Sequence, residues 1–112
     1  MEEYIQVFTT TEEKNDAEKM AKVLVEKRLA ACVQVIGPII STYQWKGNLE
    51  IAQEWLCLIK TRRDLYDEVE AAIKEMHPYE TPEIIAVPFV AASREYLEWL
   101  RSELKSKKNI VS

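Results

Sequence analysis

The residues best suited to chemistry gather at a few points along the chain. His77, the only histidine, follows Met76 and opens the loop His77-Pro78-Tyr79-Glu80-Thr81-Pro82-Glu83. An imidazole, a thioether and the carboxylates of Glu80 and Glu83 are donors for a soft or borderline metal such as copper, and Cys32 adds a thiolate. Such sites take three or four donors, so a single imidazole needs help from other residues or from symmetry mates. The competing reading is structural: a histidine at a helix end hydrogen-bonds the last free carbonyls and favours the dipole. No C-x2-C or H-x3-H spacing points to zinc.

Lys60-Thr61-Arg62-Arg63 precedes Asp64 and a helix start, where free N–H groups and cations suit a small anion. The glycines are Gly37 and Gly47 alone, so no phosphate-cradling loop exists. Pairing of these cations with acidic residues across an interface is the alternative. Tyr43, Trp45 and Trp55 fit either a base-stacking platform or a desolvated contact with another chain, and the charge favours the contact. One histidine, no G-x-S-x-G and no H-E-x-x-H leave no nucleophile with its base, so the expectation is a binding protein and no enzyme.

The elements that must position these groups read clearly. Tyr4 to Thr10 has strand composition, and Thr11 to Asp16 supplies a turn and helix start. Ala17, Met20, Ala21 and Leu24 make a one-faced helix ending near Arg28. Residues 30 to 61 form one hairpin, with arms Ala30 to Lys46 and Leu49 to Thr61 and a Gly47-Asn48 turn. An arm of about 17 residues reaches roughly 55 Å, whereas a compact chain of this length has a radius of gyration of about 13 Å. The tip, carrying Tyr43, Trp45 and on the return arm Trp55, therefore projects, and another chain covers it. Pairing Lys46 with Leu49 sets Cys57 opposite Pro38 and leaves Cys32 about six residues, roughly 20 Å, away. That excludes a bridge, unless Gly37-Pro38 makes a bulge that shifts the register.

Asp64 is expected to cap a second helix with the stripe Leu65, Val69, Ala72, Ile73 and Met76, stopped by Pro78. Ile84 to Val90 is a short strand in which Pro88 marks either a sheet edge, the favoured reading, or a bulge. Ser93 caps a last helix through Leu104, with Tyr96, Leu97, Leu100 and Leu104 inward. The order β-α-β-β-α-β plus a C-terminal helix is the ferredoxin-like α+β pattern, with both crossover helices on one sheet face and the other face open. All 112 residues are read as a single domain.

The net charge of −4 argues against nucleic acid as a partner, leaving only Lys105, Lys107 and Lys108 locally basic. No apolar run reaches the ~18 residues of a membrane span, and Met1-Glu2-Glu3 lacks a basic n-region, so a cytoplasmic protein is expected.

Arg28-Leu29-Ala30-Ala31-Cys32-Val33, Ser41-Thr42-Tyr43-Gln44-Trp45-Lys46-Gly47, Glu54 with Lys60-Thr61, the His77 to Glu83 loop and Tyr96-Leu97-Glu98-Trp99 together resemble the divalent-cation-tolerance (CutA) family, in the right order and over nearly the whole chain. The resemblance implies a ferredoxin-like homotrimer similar in plan to the PII signalling proteins. It further implies association with copper or another divalent metal ion, through positions matched here by Thr9, Met76 and His77. Of these, His77 serves unchanged and Met76 offers a thioether to Cu(I). The alternative it carries is a PII-like sensor taking a small anionic effector at Lys60, Arg62 and Arg63, or a partner protein, in clefts between subunits.

Overall fold

A computed structural model describes residues 3–106; Lys107 and Lys108 of the basic tail lie outside them. The elements are β1 (Tyr4–Thr11), α1 (Lys14–Glu26), β2 (Cys32–Trp45), β3 (Asn48–Arg62), α2 (Tyr66–Met76), β4 (Ile85–Pro88) and α3 (Arg94–Glu103). The sheet order is β2-β3-β1-β4, every neighbouring pair antiparallel. This is the ferredoxin-like arrangement the element order implied. β4 is an edge strand, as Pro88 required.

One sheet face is closed by α1 and α2. Ile5 and Val7 of β1 and Cys57 and Ile59 of β3 pack with Ala17, Met20 and Leu24 of α1 and Val69 and Ile73 of α2. Because side chains alternate along a strand, Phe8, Leu56 and Leu58 belong to the opposite face. That face is not wholly open. At one end Tyr4, Ala31 and Leu65 form a second cluster with Leu100 of α3 and Leu104 just after it. Arg62 ties this end down, its Nη2 donating to the Lys105 carbonyl at 2.9 Å. The uncovered remainder exposes Ile36, Ile85 and Val87.

Helix boundaries follow local chemistry, with one correction. α1 ends in a Schellman arrangement, Leu29 N–H donating to the Leu24 carbonyl at 3.0 Å with Arg28 at φ 58°. Ser93 caps α3 by accepting from the Tyr96 N–H at 3.2 Å. Asp64, however, does not cap α2. It lies in a 3-10 turn, Arg63–Leu65, and accepts from Arg62 Nε at 2.7 Å, because the guanidinium beside it is the stronger donor.

The hairpin projects: the radius of gyration is 15.0 Å and the longest extent 49 Å, above the ~13 Å of a compact chain. Its register differs from the expected one. The turn is Lys46-Gly47, with Trp45 opposite Asn48, and both turn residues have positive φ (51° and 82°), as a type I′ turn needs. A bulge between Ile36 and Ile39 shifts the pairs again, so Cys57 faces Val35 and Cys32 faces Lys60. Both cysteines are free thiols, and burial pushes that of Cys57 up to about 11. Trp55 sits opposite Thr11, at the root of the hairpin rather than its tip. Its indole packs over Gly37, where a Cβ would collide with it, and lies 5.3 Å from Lys14 Nζ.

Candidate functional site

Where the hairpin leaves the body, its inner side and the loop after α2 enclose a cleft of about 680 Å³. Thr10, Glu12, Ser41, Tyr43, Trp45, Ala52, Glu54, Tyr79, Glu80 and Glu83 line it. Register explains the grouping: Ser41 pairs with Ala52 and Tyr43 with Glu50, so alternate residues of both arms share this side. The in-between residues Ile40, Leu49 and Ile51 lie on the ribbon's other side, 70%, 64% and 67% exposed.

A chain of polar contacts builds the cleft wall. Pro78 ends α2 and leaves His77 extended (ψ 132°), which swings its ring to β1. His77 Nε2–H donates to the Thr10 carbonyl at 2.8 Å, and Nδ1 accepts the Tyr79 N–H at 3.1 Å. The Tyr79 ring packs 4.7 Å from the imidazole, and its hydroxyl donates to Glu54 Oε2 at 2.7 Å. Desolvation lowers the His77 pKa, outweighing the Thr10 carbonyl and the charges of Asp16 and Glu54, so the ring is held neutral. Burial and the Glu54 carboxylate push the Tyr79 phenol well above its usual range, which keeps it a donor.

This geometry answers the metal question for the single chain. His77 is buried with both nitrogens engaged. Cys32 sits opposite Lys60 on β2, whereas Thr10, which holds His77, lies opposite Leu56, so the structure does not bring Cys32 and His77 together. The Thr9 hydroxyl is fully buried without a hydrogen-bond partner, yet a threonine offers a poor donor to a soft metal. Among the described residues no group of three His, Cys, Asp or Glu side chains could hold a metal ion. The residues at Thr9, Met76, His77 and Cys32 therefore do not fit a bound copper within one subunit.

The cationic run is likewise engaged. Lys60 Nζ donates to Gln34 Oε1, and Arg62 is buried between Asp64 and the Lys105 carbonyl. Arg63 opens only a single 3-10 turn, too short to present the aligned N–H groups of a helix N-terminus.

Sequence reasoning singled out Tyr43 and Trp45, favouring a contact with another chain over a stacking platform, and it gave Glu54 and Tyr79 no joint role. The signal for pairing them is weak, since 25 residues separate donor and acceptor.

A model of the CutA1 divalent ion tolerance protein family matches residues 5–103. The divalent-cation tolerance protein CutA of Thermus thermophilus is 43% identical over 90% of this chain and 96% of its own. Human protein CutA is 38% identical over 94% of this chain, which spans 59% of the human protein. Among solved structures, Oryza sativa CutA1 aligns with a TM-score of 0.91 at 34% identity, covering 94% of this chain and 96% of that one. The Thermus thermophilus protein aligns at 0.88 and 39% identity, covering 91% and 99%.

Proposed function

The chain belongs to the CutA1 divalent ion tolerance family, and from that premise we propose that it acts as a homotrimeric binding and regulatory protein, with the cleft at the hairpin root as its ligand site. The observation that carries the assembly is the aliphatic side of the ribbon. Ile40, Leu49 and Ile51 stand 64% to 70% exposed on the ribbon, and Ile36, Ile85 and Val87 stand exposed on the uncovered sheet face. Exposed aliphatic side chains of this kind on a projecting two-stranded ribbon are unfavourable in water and prone to edge pairing unless another copy encloses them. Closed rotational symmetry buries every ribbon equivalently.

The role is non-catalytic because the groups that would do chemistry are engaged in holding the cleft together. A general base needs a free imidazole nitrogen, and His77 has none. Tolerance to divalent cations then rests on what the assembled protein binds and relays, rather than on copper held at His77.

Sedimentation equilibrium at micromolar loading tests the assembly. Three chain masses are expected for the natural sequence, and a smaller species for Leu49→Lys with Ile51→Lys. A monomeric natural protein overturns the proposal. Calorimetry with Cu(II), Cu(I) and Zn(II) is expected to give the same response for the natural protein and Met76→Leu; a response lost in that variant would restore a metal site beside His77.

A further inference from the structure

We propose that residues 39–54 form an arm that opens separately from the body of the subunit, and that the loop after α2 is its latch, closed by the contact of Tyr79 with Glu54. The register places the arm's root. β1 stops pairing with β3 at Thr11 and Trp55, so beyond that level the sheet is a two-stranded ribbon. The bulge falls at the same level, because the pairs on either side of it are Ile36 with Leu56 and Ile39 with Glu54. Gly37 and Pro38 therefore stand against Trp55 alone, outside the ladder. A bulge of this kind interrupts the hydrogen bonds between two strands and bends the one that carries it.

The arm has no share in either core. Neither buried cluster includes a residue from 39 to 54, and the one buried residue of that stretch is Glu54. Shared burial of apolar surface is what makes one part of a chain open together with another. A two-stranded ribbon beyond the core lacks it and is marginal by itself.

The loop supplies what the core does not. His77 bonds both the Thr10 carbonyl and the Tyr79 N–H, so its ring ties Tyr79 to β1, a strand of the body. From there the Tyr79 hydroxyl reaches across the root to Glu54 on the arm, 2.7 Å away. Farther out, Glu80 Oε1 lies 3.8 Å from Lys46 Nζ at the turn, but these side chains are 73% and 70% exposed and the pair holds little. With the latch closed, the arm presents Ile40, Leu49 and Ile51 in one pose, and a surface fixed beforehand loses less freedom when a second copy meets it. That consequence rests on the homotrimer reading; the latch itself does not.

Amide hydrogen exchange of the intact protein, read on peptides by mass spectrometry at one fixed loading, tests this. Residues 39–54 are expected to exchange together and ahead of β1 and of residues 56–62. Ile73→Val trims the core under the sheet; it is expected to speed exchange in β1 about two- to tenfold and to change the arm by less than about twofold, because the arm opens with the body intact. Tyr79→Phe is expected to speed the arm by about tenfold or more, the scale of one hydrogen bond to a charged group, and Glu80→Gln by less than about fivefold. An arm that exchanges no faster than residues 56–62, or that follows Ile73→Val as β1 does, overturns the separate unit. An arm whose rate stays within about twofold in Tyr79→Phe overturns the latch. Should Tyr79→Phe not fold, Glu54→Gln decides in its place by the same measure. Sedimentation of the same samples keeps the two readings apart: a trimer whose arm ignores Tyr79→Phe sinks only the latch, and a monomer whose arm answers to it sinks only the assembly.

Discussion

Replacing Tyr79 by phenylalanine removes one hydroxyl and keeps the ring that packs 4.7 Å from His77. What is lost is the 2.7 Å bond to Glu54, a residue 5% exposed. A hydrogen bond to a charged group contributes roughly 1.5–3 kcal/mol, and Tyr79 is only half-buried, so the lower part of that range, about 1.5–2 kcal/mol, is expected. For a chain of this length the unfolding entropy is about 0.24 kcal/mol/K, so Tm falls by about 6–8 °C. Thermal denaturation followed by circular dichroism, at one fixed protein concentration because assembly shifts Tm, measures it. Combining Tyr79→Phe with Glu54→Gln should cost less than the two changes added, with a coupling of about 1 kcal/mol. A Tm within about 1 °C of the natural protein, or strict additivity, refutes the idea that this contact fastens the loop to the hairpin.

The neutral His77 makes stability depend on pH. Its folded pKa lies below the unfolded value of about 6.5, so its contribution is complete above that value and is lost as pH falls toward the folded one. Urea midpoints between pH 8 and 5 should decline on the acid side, and His77→Gln should flatten that limb. Cys57, its thiol pushed up to about 11 by burial, should resist a thiol reagent at pH 8 in the native protein and react only in denaturant. A methyl group on Gly37 would collide with the Trp55 indole; Gly37→Ala should cost about 1–3 kcal/mol in a denaturant titration, and adding Trp55→Leu should recover part of the loss.

Local signals carried the architecture well. The spacing of Ala17, Met20 and Leu24, the Ser93 cap and the stop at Pro78 are decided within a few residues, and the structure keeps all of them. The hairpin was legible as a hairpin, but its register was not. Lys46 takes φ 51° so that Lys46-Gly47 can form the turn, a conformation disfavoured for a lysine and set by pairing along both arms. The moved turn and the bulge at Gly37-Pro38 together take Cys57 from Pro38 to Val35. The site was the least legible part. His77 was expected to bond the carbonyls of its own helix end, and it instead bonds Thr10, 67 residues away. Asp64 met a stronger partner in Arg62. The sides on which Tyr43 and Ile51 stand survived the register change, because moving the turn by one residue shifts the pairing by two and keeps the parity.

The projecting ribbon is a single lamina: Ala52 and Glu54 look one way, Ile51 the other, with only one layer of backbone between them. No packed layer insulates the two sides. If the proposed assembly forms on the outer side, a molecule that reshapes the inner surface would reshape the outer one, and by thermodynamic reciprocity association would alter the inner surface in return. In the proposed assembly, occupancy and quaternary state would be two readouts of one mechanical member, without any intervening pathway through the core.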